Sequence, residues 1–368
     1  MATATPDTAP LLQVRDLQVE FVGRNRVVRA VRGLNYELRA GETLAIVGES
    51  GSGKSVSAMT LLGLLPKRTS RITSGTALFE GRDLLTLPSK ELEQVRGARI
   101  AMIFQDPLSS LNPVLTIERQ ITEALERHTK LTGPQQRARA IELLKLVGIP
   151  DAERRLKDYP HQYSGGMRQR AMIAIALSCE PSLLIADEPT TALDVTIQAQ
   201  ILALIARLRS ELGMAVLLIT HDLGIVAGLA DRIAVMYAGR VIETGPTEQV
   251  LVDPAQPYTA GLLRSLPRLD VVRTGPLTPI EGTPPDLASS LPGCPFAPRC
   301  AWRIPDCWTV DPALAPTREP ELDRAIACHN PPTPDEAAAG RPDRPGFTPA
   351  LPPEDITEEV VVVTGSAA

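Results

Sequence analysis

The run Gly48, Glu49, Ser50, Gly51, Ser52, Gly53, Lys54, Ser55 has the residue types a polyphosphate needs. Glycine lets the backbone curl close to an anion with its N–H groups turned inward. Lys54 brings a mobile positive charge to the β- and γ-phosphates, and Ser55 offers a hydroxyl to Mg²⁺. Val56 follows in a helix whose positive N-terminus lies behind the same anion. Two carboxylates, Asp187 and Glu188, end the apolar run of residues 183–186. Asp187 is placed to hold Mg²⁺ with Ser55, and Glu188 to polarise a water in line with the γ-phosphate. Gln105, just past residues 99–104, can reach the metal or the attacking water. His221, at the tip of residues 215–220, can hydrogen-bond the γ-phosphate or Glu188. Ser164, Gly165 and Gly166 open a second apolar helix and form another anion site by the same physics. Two such sites far apart in the chain do not readily share one nucleotide, so the second is expected to serve another subunit. The chemistry implied is binding and hydrolysis of a nucleoside triphosphate with Mg²⁺.

These residues need strands to present them. Residues 44–47 are too short for a helix and too continuously apolar for an exposed strand, so they read as a buried strand entering the phosphate loop. Residues 12–21 and 27–38 alternate apolar and polar and predict a small antiparallel sheet beside it, with a second strand pair over residues 72–83. Phe21, at the end of the first strand, is either a platform for the nucleotide base or an ordinary core aromatic. Residues 99–104, 182–188 and 215–220 read as further buried strands, and residues 195–212 as an amphipathic helix. Residues 115–157 show helical spacing uninterrupted by a strand, which predicts an all-helical insertion over about 107–180. The expected fold is α/β: a phosphate-loop core with an antiparallel β subdomain, an inserted α-helical subdomain and a Cys/Pro-rich C-terminal extension.

Composition narrows the partners. The 368 residues suffice for one large or two ordinary domains, and 43% hydrophobic with 22% charged residues describes an ordinary globular chain. The net charge of −5 gives no electrostatic footprint for nucleic acid. No apolar run reaches the roughly 20 residues of a bilayer helix, and the opening residues 1–10 lack the basic start and apolar core of a signal peptide. Any membrane role is therefore expected to come through a partner. Of 34 prolines, 22 follow Leu251, which separates a regular α/β body from a loop-rich C-terminal part. That part carries Cys294, Cys300, Cys307 and Cys328. Four thiols in a proline-rich stretch with little apolar content suggest a metal centre in place of a core, either a [4Fe–4S] cluster or tetrahedral Zn²⁺, with free thiols as the third reading. His329 is a candidate to replace one thiolate in a zinc site, and Cys179 reads as a buried hydrophobe.

Taken together, these motifs closely resemble the nucleotide-binding subunit of an ABC transporter. Residues 48–55 are similar to the Walker A motif, Gln105 to the Q-loop, residues 163–167 to the signature, residues 183–188 to Walker B with its catalytic glutamate, residues 192–194 (ending in Asp194) to the D-loop, and His221 to the switch histidine. Tyr163 and Met167 depart from the usual leucine and glutamine, while Ser164, Gly165 and Gly166 are retained. The resemblance covers about residues 10–268. It implies a RecA-like P-loop ATPase core that works in head-to-tail dimers, in which ATP on one subunit's Walker A motif is closed over by the other subunit's signature.

Residues 104–113, 159–162, 186–196, 236–240 and 257–259 resemble, more narrowly, the importer ATPases of the dipeptide/oligopeptide/nickel type. That resemblance implies two permease subunits, a second and similar ATPase subunit, an extracytoplasmic solute-binding protein, no nucleic acid, and a peripheral place on the cytoplasmic face of the inner membrane. The same family carries four cysteines in its C-terminal extension, which favours an iron–sulfur cluster over zinc. A soluble ABC ATPase acting on nucleic acid is the rival class, and the single cassette and negative charge weigh against it. An exporter subunit leaves the cysteines unexplained. The expected divisions are an ATPase domain over 1–268, a cysteine-rich extension over 269–333 and a largely disordered tail over 334–368.

Overall fold

Alternation in the first forty residues becomes an antiparallel sheet. The structure, a computed structural model, describes residues 9–106, 110–191, 193–265, 279–317, 323–344 and 347–353. Strands β1 (Leu12–Val22), β2 (Val27–Leu38), β4 (Ser70–Phe79) and β5 (Arg82–Asp83) form one sheet in the order β2-β1-β4-β5. Its apolar face, with Val14, Leu17, Val19 and Leu34, joins the cluster that covers one side of the central sheet.

The central sheet is built on β3 (Thr43–Val47), all five residues of which are buried. Its neighbours are β8 (Ala215–Thr220) and β9 (Arg232–Tyr237), both parallel to it, and β7 (Leu183–Asp187) and β6 (Ile100–Ile103) continue the parallel run beyond β8. Buried on both faces, these strands read as continuous apolar runs rather than alternating ones. Because they are parallel, the residues that follow β3, β6, β7 and β8 all emerge at one edge, where open α/β sheets bind ligands. Helix α1 (Lys54–Leu61) follows β3 directly. Between β6 and β7 lie α2 (Ile117–His128), α3 (Gly133–Leu146) and α4 (Gly165–Ala176), and no strand intervenes among the described residues. Ile117, Ile121, Leu125, Leu143, Leu144 and Ile173 pack them together in one buried cluster. Helix α5 (Val195–Leu212) links β7 to β8.

The C-terminal part is continuous with this sheet. Strand β10 (Arg240–Pro246) pairs with β9, and the short strands β12 (Ala325–Ile326) and β11 (Ala315–Pro316) add to its free edge. Beneath that edge Arg324 donates to the fully buried Glu243 at 2.6 Å. Phe296 sits edge-on against Tyr237 of β9 and against Tyr258 of α6 (Pro257–Arg264), with ring centroids 5.4 Å apart in each case.

The expected domain boundary at 268 lies outside the described residues, as do residues 107–109 and Ala192 of the quoted motifs. Where the sequence predicts disorder from 334 onward, the structure folds part of the tail back. Helix α7 (Pro334–Ala339) opens with a capping box between Thr333 and Glu336. The Ala350 carbonyl accepts from Arg303 Nε at 2.8 Å and Trp308 Nε1 at 3.3 Å. Backbone and cap bonds order this stretch despite its low apolar content. Residues 354–368, with the apolar stretch 360–363, lie outside the described residues.

Candidate functional site

The tip of β3 turns into the phosphate loop because two glycines allow close approach. A Cβ at Gly48 would stand 2.1 Å from the Met236 carbonyl oxygen, and one at Gly53 (φ +98°) 2.3 Å from that of Ala30. The loop curls round Lys54, whose Nζ donates to the carbonyls of Gly48 at 2.7 Å and Glu49 at 3.0 Å. Burial lowers the Lys54 pKa, against the opposing pull of Glu188, Asp187 and Glu49. The hydroxyl of Ser52 is buried without a protein partner among the described residues.

Ser55 Oγ donates to Asp187 Oδ1 at 2.9 Å, so the two oxygens expected on Mg²⁺ are already neighbours. Burial raises the Asp187 pKa, and the Ser55 hydrogen bond counters it. One residue on, Glu188 gathers the other candidates. Gln105 Nε2 donates to its Oε2 at 3.0 Å, Thr191 Oγ1 to the same oxygen at 2.8 Å, and His221 Nδ1 lies 3.2 Å from Oε1. Gln105 thus stands with the carboxylate of Glu188 rather than with Ser55 and Asp187.

These groups open into one cleft of about 570 Å³ lined by Phe21, Ser50, Gly51, Gly53, Lys54, Ser55, Val56, Gln105, Glu188 and His221. Its size is that of a cofactor site. Phe21 therefore lies on the cleft wall. The sequence reading misses Val28, Ala30, Thr191 and Leu287, which also line it. Leu287 comes from the proline-rich extension, held to the antiparallel sheet by the Arg29 N–H donating to the Leu287 carbonyl at 3.0 Å. No local pattern announces such a contact.

Five candidates lie elsewhere. Glu49, expected at the nucleotide, turns its carboxylate away to Arg299 of the extension, with contacts of 2.9 and 3.1 Å. Ser164, Gly165 and Gly166 are absent from the cleft lining. Ser164 instead caps α4, accepting from the Met167 N–H at 3.3 Å. Asp194 likewise caps α5 by accepting from the Ile197 N–H at 3.0 Å.

The four extension cysteines converge. Burial raises the thiol pKa of each, to about 11 at Cys294 and about 12 at Cys328, and each pair is close enough to interact electrostatically. The Cys294 N–H donates to the Cys307 carbonyl at 2.8 Å. None is in a disulfide. Among the described residues, no three His, Cys, Asp or Glu side chains form a set able to hold a metal ion. His329 Nε2 lies 2.9 Å from the Val310 carbonyl oxygen, so it is engaged away from the thiols. Cys179 is half-buried against the main core cluster.

A parallel α/β sheet that presents a phosphate loop, a Ser–Asp pair and a carboxylate braced by Gln and His at one edge defines a P-loop ATPase cassette. The ABC transporter family matches residues 31–191, and the C-terminal region of oligopeptide/dipeptide transporters matches residues 242–307. The chain is 55% identical over 302 residues to the dipeptide transport ATP-binding protein DppD of Bacillus subtilis, covering 82% of this chain and 90% of that one. It is 49% identical over 320 residues to the oligopeptide transport ATP-binding protein OppD of Salmonella typhimurium, covering 86% and 95%. Among solved structures, the cassette MJ0796, a dimer in a post-hydrolysis state with ADP and Pi, superposes with a TM-score of 0.58 at 28% identity, covering 64% of this chain and 98% of that one. The cbiO1 protein of Clostridium perfringens gives 0.57 at 31% identity, covering 66% and 91%. The chain belongs to the ATP-binding proteins of ABC transporters, in the oligopeptide/dipeptide branch, and is an ATP-hydrolysing transporter subunit. No helix among the described residues is long and apolar enough to cross a membrane.

Proposed function

We propose that this chain binds MgATP in the cleft at the tip of β3 and couples its hydrolysis to the import of dipeptides or oligopeptides through membrane-embedded partners. The observation that carries the reading is the meeting of Lys54, Ser55 and the braced Glu188 in one cleft, with Asp187 hydrogen-bonded to Ser55 just behind it. Ser50, Gly51 and Gly53, on the cleft wall, turn backbone N–H groups to the phosphates, Gly48 and Ser52, whose N–H donates to the Glu49 carbonyl, shape the loop, Lys54 meets the β- and γ-phosphates, and Phe21 with Val56 flanks the nucleotide. Ser55 and Asp187 would hold Mg²⁺, which when bound adds positive charge at the phosphate oxygens. Glu188 orients a water in line with the γ-phosphorus and accepts its proton, while His221, Gln105 and Thr191 fix the carboxylate. The Gln105 amide oxygen would be a further ligand for the metal, beside Ser55 and Asp187.

Ser164, Gly165 and Gly166 then complete the site of a partner ATPase subunit rather than their own. The remaining partners are two permease subunits and an extracytoplasmic solute-binding protein, with this chain peripheral on the cytoplasmic face. The working divisions are an ATPase domain over about 1–268, with an inserted helical subdomain over about 107–180, and the extension beyond. The test is ATPase activity of the purified four-subunit complex in proteoliposomes, with and without peptide-loaded binding protein. Stimulation by a peptide is expected. A rate indifferent to every peptide tried, with nickel or another small solute stimulating instead, would overturn the peptide assignment and retain the transporter.

For the extension we infer a [4Fe–4S] cluster on Cys294, Cys300, Cys307 and Cys328. Four mutually interacting, unpaired thiols support it. Four thiols also suit a tetrahedral Zn²⁺, with sulfurs at about 2.3 Å from one point, and as placed the described side chains form no set that would hold either group. A cluster gives each thiolate its own iron and seats the sulfurs further apart. Bound metal would also supply the positive charge that buried thiolates lack. Anaerobic purification should yield about four irons and four sulfides per chain, lost in Cys294→Ser. One zinc and no iron would overturn the cluster.

A further inference from the structure

We propose that Arg299, carried by the cysteine-rich extension, is a positioning residue for the phosphate loop, cancelling the charge of Glu49 and holding its carboxylate out of the nucleotide cleft. The inference rests on the reading of residues 48–55 as the MgATP site. Arg299 Nη1 meets Glu49 Oε2 at 2.9 Å and Nη2 meets Oε1 at 3.1 Å, a two-pronged contact that fixes direction as well as distance. The arginine side chain is 5% exposed and that of Glu49 26%. Other groups hold the guanidinium independently of Glu49. Its Nε donates to the Glu281 carbonyl at 3.0 Å, Nη1 lies 3.3 Å from Tyr237 Oη, and its carbon stands 5.9 Å from the ring centres of both Tyr237 and Phe296.

Glu49 is fixed at three points. Its N–H donates to Tyr258 Oη at 2.9 Å, its carbonyl accepts from Lys54 Nζ at 3.0 Å, and its carboxylate is held by Arg299. The residue that carries a negative charge into the loop is therefore also one that anchors the lysine meant for the phosphates. Released from Arg299, that carboxylate would repel the same anion that Lys54 attracts, and would compete for Lys54 itself. Arg299 directly precedes Cys300, so the loop's electrostatics depend on the extension being folded round its cysteines.

The test uses the full-length chain, with MgATP and MgADP binding followed by calorimetry and folding checked by thermal melting. Arg299→Met is expected to weaken MgATP about tenfold, the scale of one uncompensated charge near a polyanion, and to weaken the less negative MgADP by a smaller factor. Glu49→Gln introduced into Arg299→Met is expected to restore MgATP affinity to within about twofold, because the charge left unpaired is gone. Wild-type affinity in Arg299→Met would overturn the inference while leaving the MgATP site standing. A folded double variant as weak as Arg299→Met would reduce Arg299 to a structural brace and overturn it too. A wild-type chain that binds neither nucleotide would remove the MgATP reading itself, and the inference with it.

Discussion

Glu188 occupies left-handed backbone (φ 46°), a conformation rare for a residue with a side chain. Its N–H donates to the Ile219 carbonyl at 2.8 Å, which locks it beside the tip of β8, and three side chains converge on its carboxylate. Strain of this kind persists only where the surroundings over-determine it, and it is concentrated at functional positions. In the proposed reaction the carboxylate is needed as a base, whereas nucleotide affinity comes from the loop and Lys54. Glu188→Gln keeps the shape and most hydrogen bonds but removes the basicity. It should leave MgATP bound by the isolated chain and lower turnover in the assembled complex by about 10²- to 10⁴-fold. Calorimetry on the chain and phosphate release from the complex measure the two halves separately. Wild-type turnover would take the base assignment away from Glu188.

At the scale of elements, periodicity made much of the fold readable. The alternation over 27–38 and the apolar run over 215–220 match β2 and β8 end to end, and the amphipathic run over 195–212 matches α5. The tips of parallel strands carry Lys54, Asp187, Glu188 and His221, which are legible because motif and strand adjoin in sequence. Strands β11 and β12 were not readable, since two residues each carry no period and pair only because β10 leaves an edge open. The Arg299–Glu49 contact spans 250 residues and has no local signal at all. Helix α7 was hidden for a different reason, as its order comes from one carboxylate. Glu336 accepts from the N–H groups of Thr333 and Asp343 and from Arg344, which hold its pKa down to about 2, against an ordinary 4.5. A carboxyl depressed by folding stabilises the folded form above its unfolded value, and that contribution is lost as pH falls from about 4.5 toward 2. Glu336→Gln should reproduce the loss at pH 7, costing the segment about 1 kcal/mol and speeding amide hydrogen exchange over residues 333–344 relative to β3. Unchanged exchange there would show that the tail is ordered by something other than this cap.

The proposed nucleotide cleft opens at one edge of the sheet, and Ser164, Gly165 and Gly166, proposed as a second anion site, are absent from its lining, so in the proposal the two halves of the chemistry do not meet within one chain. Ser164 lies at the N-terminus of α4 with its hydroxyl spent on the Met167 N–H. Gln169, on the same helix, donates to the Pro189 carbonyl at 2.6 Å, one residue beyond Glu188. The helix that carries Ser164 is thus hydrogen-bonded to the loop that carries Glu188, the proposed base, although Ser164 does not line the cleft. If a partner's nucleotide is what Ser164 meets, blocking it must spare this chain's own binding and damage only the assembly. Ser164→Arg places a long side chain where a γ-phosphate would approach and removes a cap worth about 1 kcal/mol, so Ser164→Ala serves as the control for the cap alone. Both variants, as isolated chains, should bind MgATP like the wild type. In the assembled complex Ser164→Arg should lower turnover more than tenfold while Ser164→Ala lowers it far less, because a bulky obstruction at a subunit contact costs more than one hydrogen bond. Weakened MgATP binding by isolated, folded Ser164→Arg would place the second site on the chain's own nucleotide and would require the two surfaces to meet within one subunit.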